Sequence, residues 1–135
     1  MNANKLKSTP VKGKTGLRRI INAFGYSLKG FKAAWAHEAA FRQELTACAI
    51  LLPLALWLEV SSLTKIMLVA VMAIVIIVEL LNSAIEAAID RIGPEAHHLS
   101  GAAKDLGSAA VLVALSLMVF VWGVVLWDVF QHHRG

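Results

Sequence analysis

Ile66-Met67-Leu68-Val69-Ala70-Val71-Met72-Ala73-Ile74-Val75-Ile76-Ile77-Val78-Glu79-Leu80-Leu81-Asn82-Ser83-Ala84-Ile85-Glu86-Ala87-Ala88-Ile89-Asp90-Arg91 opens with thirteen apolar residues and then changes character. No Gly or Pro interrupts it, so one helix can run throughout. Glu79, Asn82, Glu86 and Asp90 follow one another at intervals of three, four and four residues. At 3.6 residues per turn they share a face, while Leu80, Ile85 and Ile89 lie elsewhere. A charge at the centre of a bilayer costs about 2.5–3.5 kcal/mol on insertion scales. A helix end emerging into water accounts for Asp90. Glu79 is too deep in the apolar run for that, and its face must look into protein, water or a cation.

Two more apolar stretches flank this one. Leu45 to Val60 contains Pro53, which a membrane helix tolerates when the freed carbonyl finds another partner. Ala109 to Trp127 has Ser116 as its only clearly polar residue. A crossing needs roughly 17–25 predominantly apolar residues, which predicts three spanning helices, at about residues 43–60, 63–90 and 105–128. The whole chain agrees: of 135 residues 58% are hydrophobic and only 16% charged, with mean hydropathy +0.66. A soluble domain of this size could not bury so much apolar surface. Soluble enzymes, disordered chains and disulfide scaffolds are excluded, the last because Cys48 is alone.

The N-terminal portion is different. Residues 1–16 are rich in Lys, Asn, Ser, Thr, Pro and Gly and read as a disordered basic leader, with no removable secretory signal. From about residue 17 to 40, Ile20, Phe24, Leu28, Phe31 and Trp35 form an apolar stripe at helical spacing, with basic residues between them. That pattern suits an amphipathic helix lying in the headgroup layer. The expected fold is therefore an all-α integral membrane protein, a surface helix plus three transmembrane helices, with residues 17–135 as a single domain.

Nine of the thirteen basic residues precede the first span, whereas the first connection has only Lys65, the second Arg91 and Lys104, and the tail Arg134. The positive-inside rule then places the N-terminus in the cytoplasm and the C-terminus outside. The basic cluster suits anionic headgroups, and no nucleic-acid recognition module is visible. Trp35, Trp57, Trp122 and Trp127 fall near predicted helix ends, where indoles anchor at the interface.

This topology gathers Glu38, Arg42, Gln43, Glu79, Asn82, Glu86, Lys104, Asp105 and Ser108 at the cytoplasmic boundary. His97-His98 and His132-His133 are adjacent pairs without a third metal ligand in register. Gly13-Lys14-Thr15 lacks the rest of a P-loop. Carboxylates with Asn and Lys suit Mg2+, which takes one or two carboxylates plus phosphate oxygens. A buried carboxylate can also accept a proton from an alcohol, and basic groups can neutralise phosphate charge in transfer. Phosphoryl transfer to a lipid hydroxyl uses all of these.

Three segments carry a resemblance: Glu38-Ala39-Ala40-Phe41-Arg42-Gln43-Glu44, the Glu79 to Gly93 stretch with Asn82-Ser83-Ala84-Ile85-Glu86, and Leu99-Ser100-Gly101-Ala102-Ala103-Lys104-Asp105-Leu106-Gly107-Ser108-Ala109-Ala110-Val111. In this order they closely resemble the prokaryotic diacylglycerol kinase family, over roughly Arg18 to Trp127. The resemblance implies a homotrimeric enzyme of the bacterial inner membrane that transfers the ATP γ-phosphoryl group to diacylglycerol, giving phosphatidic acid, with magnesium. It implies Glu79 as general base with Asn82 beside it, and Glu38 and Glu86 on the metal carried by ATP. Arg19, Tyr26, Glu95, His97, Lys104 and Asp105 would surround the nucleotide. Ser27, Trp35, Arg42, Gln43, Ser108 and Trp122 would serve the lipid side. Ala102 stands where many relatives carry a basic residue. Undecaprenol kinase of the same fold is the closest alternative; a small proton-coupled multidrug transporter is a remote one.

Overall fold

The computed structural model describes residues 16–93 and 97–132. The expected leader lies outside the described residues except for Gly16, as do Glu95, His133 and Arg134. All regular structure in the described residues is helical: α1 (Gly16–His37), α2 (Ala39–Trp57), α3 (Ser62–Ile92) and α4 (His98–His132). The last three are each long and apolar enough to cross a membrane.

The chain divides into two units, residues 1–32 and 33–135. The first carries most of α1, with Leu17, Ile20, Ile21, Phe24 and Leu28 all exposed. Two side-chain contacts lie within it. Ser27 Oγ donates to the Ala23 carbonyl at 3.1 Å, and Lys29 Nζ lies 5.8 Å from the Tyr26 ring centroid.

The second unit begins with a corner. Glu38 alone separates α1 from α2, with extended backbone (φ −109°, ψ 110°). The ladder is barely interrupted, since Glu38 N–H donates to Ala34 O and Arg42 N–H to Glu38 O. Arg42 closes the corner from the side chain: Nη1 donates to the Trp35 carbonyl at 2.8 Å and to Ala36 at 3.5 Å. These carbonyls end a helix and would otherwise need water. α2 then continues through Pro53 to Trp57.

A short turn joins α2 to α3. Ser61 caps α3, its Oγ accepting from Thr64 N–H at 3.1 Å. Lys65 reaches back, Nζ donating to the Leu56 carbonyl at 2.8 Å. Both ends of the turn are thus satisfied by side chains adjacent in sequence.

α3 packs against both α2 and α4. The core joins Cys48, Ala55 and Leu58 of the α2 end, Leu68, Val71 and Met72 of α3, and Trp122 of α4. Outside it, Ile50, Leu56, Ile66, Ile77, Leu112, Val119, Phe120 and Trp127 remain exposed. So many large apolar residues facing outward suit hydrocarbon and not water.

One expectation is corrected. Trp122 is not an interfacial anchor: it lies ten residues before the end of α4, 5% exposed. It joins the buried cluster that includes Cys48 and Ala55 of α2 and Leu68, Val71 and Met72 of α3. Between helices in a membrane, packing supplies most of the association energy. Trp122→Ala should therefore destabilise the protein by about 3 kcal/mol in a denaturing-detergent titration, while Trp127→Ala, on the exposed surface, should change it little. Equal losses would show that the indole core is not what holds α4.

Candidate active site

At a rise of 1.5 Å per residue, Glu79 lies about 26 Å along α3 from Ser62 and Asp90 about 42 Å. Hydrocarbon is about 30 Å thick, so Glu79 falls just inside its far boundary and Asp90 beyond it. The difference is visible in burial. Glu79 is 3% exposed, the only buried charged side chain among the described residues, whereas Asp90 is exposed.

Other carboxylates converge on Glu79. Glu38 at the α1–α2 corner and Glu86 two turns along α3 both lie within electrostatic reach of it, and so does Glu44 of α2. Four acids from two helices and a corner thus share one neighbourhood. Four like charges close together in low dielectric repel strongly, so the cluster calls for protons or cations to balance it.

Polar side chains organise the cluster further. Asn82 Nδ2 donates to Glu86 Oε1 at 3.0 Å, the i to i+4 contact of one helix face. Asn82 Oδ1, Ser83 Oγ and Glu44 Oε2 are buried without a hydrogen-bond partner among the described residues. Unpaired buried polar atoms are rare and each costs about 1–3 kcal/mol. Three of them beside one buried acid mark a place built to receive further polar groups.

Cations approach from α4. Lys104 Nζ sits 2.6 Å from Asp90 Oδ1 and within electrostatic reach of Glu86. His97 precedes the helix, its Nδ1 accepting from Leu99 N–H at 3.2 Å while its ring stacks on His98 at 4.6 Å. Asp105 and Ser108 are exposed on α4, as are Gln43 on α2 and Trp35 on α1. Arg19, Tyr26 and Ser27 belong to the exposed surface of the first unit. Glu95 lies outside the described residues.

The donor set can be tested against a metal. Among the described residues no group of three or more His, Cys, Asp or Glu side chains is arranged to enclose an ion. Glu38 and Glu86 both lie within electrostatic reach of Glu79, and hard carboxylates are the ligands taken by Mg2+ brought in on phosphate oxygens. A closed all-protein cage would not serve that purpose. The residues fit.

A family profile for prokaryotic diacylglycerol kinase matches residues 25–126. A curated diacylglycerol kinase of Escherichia coli (strain K12) is 54% identical over 116 residues, covering 86% of this chain and 95% of the relative. One from Pseudomonas aeruginosa is 50% identical over 121 residues, covering 90% and 98%, and one from Helicobacter pylori (strain J99) 40% identical over 114, covering 84% and 88%. This chain belongs to the prokaryotic diacylglycerol kinase family.

Within this family member, the spacing of the sequence picks out the α3 acids and not Glu44 or Ser83. Glu44 had a usable signal, a charge just ahead of the apolar run beginning at Leu45. Ser83 had none, because a small residue on a membrane helix is ordinary until its neighbour is known. Asp90 and Lys104 also become partners only in three dimensions. Their pair is exposed, and such pairs contribute about 0–1 kcal/mol. Asp90→Asn should leave stability within about 1 kcal/mol and speed labelling of Lys104 by a water-soluble amine reagent. Loss of the folded protein would instead make the pair structural.

Proposed function

We propose that this protein is an ATP-dependent diacylglycerol kinase, transferring the γ-phosphoryl group of ATP directly to the free hydroxyl of 1,2-diacylglycerol to give phosphatidic acid. The observation that carries the reading is Glu79, buried near the edge of the hydrocarbon and surrounded by carboxylates. A lipid alcohol can reach that depth from the bilayer, and a nucleotide can reach it from water. The curated relatives are named for the same reaction.

In this mechanism Glu79 accepts the proton of the lipid hydroxyl as its oxygen bonds to the γ-phosphorus. The bond from that phosphorus to the β–γ bridging oxygen breaks in line, and ADP leaves with the electron pair. Asn82 holds Glu86 through its amide, and Glu86 with Glu38 would hold Mg2+. The ion supplies charge neutralisation on the phosphate oxygens when bound. Arg19, Tyr26, Glu95, His97, Lys104 and Asp105 are assigned to the nucleotide. Lys104 is well suited, since an exposed ammonium beside Asp90 can exchange one anion for another.

The lipid side is assigned to Ser27, Trp35, Arg42, Gln43, Ser108 and Trp122. Arg42 already spends one nitrogen on the Trp35 and Ala36 carbonyls, which leaves the rest of its fork for a headgroup. Trp122, about 21 Å along α4 from Ser108, offers a buried Nε1 donor that has no partner among the described residues. Residues 17–135 act as one kinase domain in the bacterial inner membrane, N-terminus cytoplasmic, C-terminus external and α1 lying amphipathic on the inner surface. A homotrimer belongs to the same reading, since subunit packing would cover polar side chains such as Asp105 and Ser108 that the single chain leaves exposed.

The test is an assay of purified protein with labelled ATP, a lipid panel and magnesium omission. Phosphatidate that requires magnesium supports the reading. Product only from undecaprenol moves the acceptor, and Glu79-dependent transport without ATP use replaces the kinase by an exporter. Glu79→Gln should lower turnover by roughly 10²–10⁴-fold with nucleotide binding retained; lost binding would make Glu79 a ligand. Glu86→Gln should raise the magnesium concentration needed, and an unchanged requirement removes it from the metal.

A further inference from the structure

Gly107 lies on α4 opposite the acidic face of α3. Of the glycines described, it alone has atoms of another residue within 4 Å of where a Cβ would stand, and all three of those atoms belong to Asn82. That Cβ would overlap Asn82 Oδ1 and stand 3.3 Å from its Cγ. Gly107 is itself buried. The contact is therefore between a bare stretch of α4 backbone and one particular amide.

The amide needs that contact. Asn82 Nδ2 donates to Glu86 Oε1 at 3.0 Å, while Oδ1 is buried and receives no hydrogen bond. An asparagine usually has its orientation set by partners at both ends of the amide. Here one end is set by Glu86 and the other only by packing on Gly107. Asn has two side-chain torsions, so Oδ1 cannot move far from α4 without turning Nδ2 away from Glu86.

We propose that Gly107 is a positioning residue for the reaction: the missing Cβ lets α4 press Asn82 into the orientation that holds the Glu86 carboxylate. This rests on the reading of Glu86 as a metal-holding group. Groups that orient metal-holding side chains typically change metal affinity by roughly 10–100-fold when lost. A glycine needed only for close helix packing would affect folding and not one carboxylate.

The experiment measures binding of Mn2+ with a non-hydrolysable ATP analogue to the full-length protein in detergent, reading free Mn2+ by its paramagnetic resonance signal. Gly107→Ala should weaken binding at least about tenfold. In an Asn82→Ala background, where the amide is already gone, the same change should alter affinity less than about twofold. Unchanged affinity in Gly107→Ala, or an equal fold loss in both backgrounds, overturns the proposal. Should Gly107→Ala fail to fold, Asn82→Ala alone is read: Mn2+ affinity at least about tenfold weaker than wild type supports the proposal, and unchanged affinity overturns it. Glu86→Gln separates the two readings. Wild-type affinity in that variant overturns the metal assignment itself, whereas affinity lost there and kept in Gly107→Ala overturns only the positioning role.

Discussion

A carboxylate more than a dozen apolar residues into a membrane-length helix can be inserted only if the side it faces is covered. Glu79 sets that requirement, and much of the second unit answers it. α3 has α2 on one flank and α4 on the other, and the acid is nearly sealed between them. Burying it among Glu38, Glu44 and Glu86 increases repulsion. An arrangement chosen for stability alone would separate these groups or replace them with hydrocarbon. Their convergence is what the proposed site for protons and cations rests on.

The elements around the cluster are held by polar contacts of short range. Arg42 caps the end of α1 from inside α2, Ser61 starts α3, and Lys65 ends α2 from the next helix. Each satisfies backbone groups at a helix end, where water is scarce at a membrane boundary. Glu38 is placed by the first of these corners. It is the single extended residue between two helices, and its carboxylate lies within electrostatic reach of Glu79. The packed core begins at Cys48, one turn along α2 from Glu44, and continues through Ala55, Leu68 and Trp122. Rigid apolar packing at one level thus supports an under-satisfied polar set at another.

Most of the fold could be read from the chain. Apolar runs of bilayer length, separated by charged or turn-forming residues, admit only helices, because backbone groups in hydrocarbon must bond within their own segment. The acidic face of α3 was equally legible, since Glu79, Asn82, Glu86 and Asp90 repeat at helical spacing. Trp122 was misread for a plain reason. A tryptophan some way before a helix end looks like an anchor, and only its place in the buried cluster with residues of α2 and α3 shows it turned inward.

What the sequence determined alone was periodic and local: the number of spans, the all-helical class, and which residues share a face, since these follow from a constant rise and turn per residue. The tertiary structure decided which faces meet. That Glu44 joins Glu79, that Lys104 finds Asp90, and that Asn82 rests on the bare backbone at Gly107 all depend on the rotation and approach of one helix against another. Those quantities arise from the summed packing of many side chains, and no spacing along a single chain encodes them.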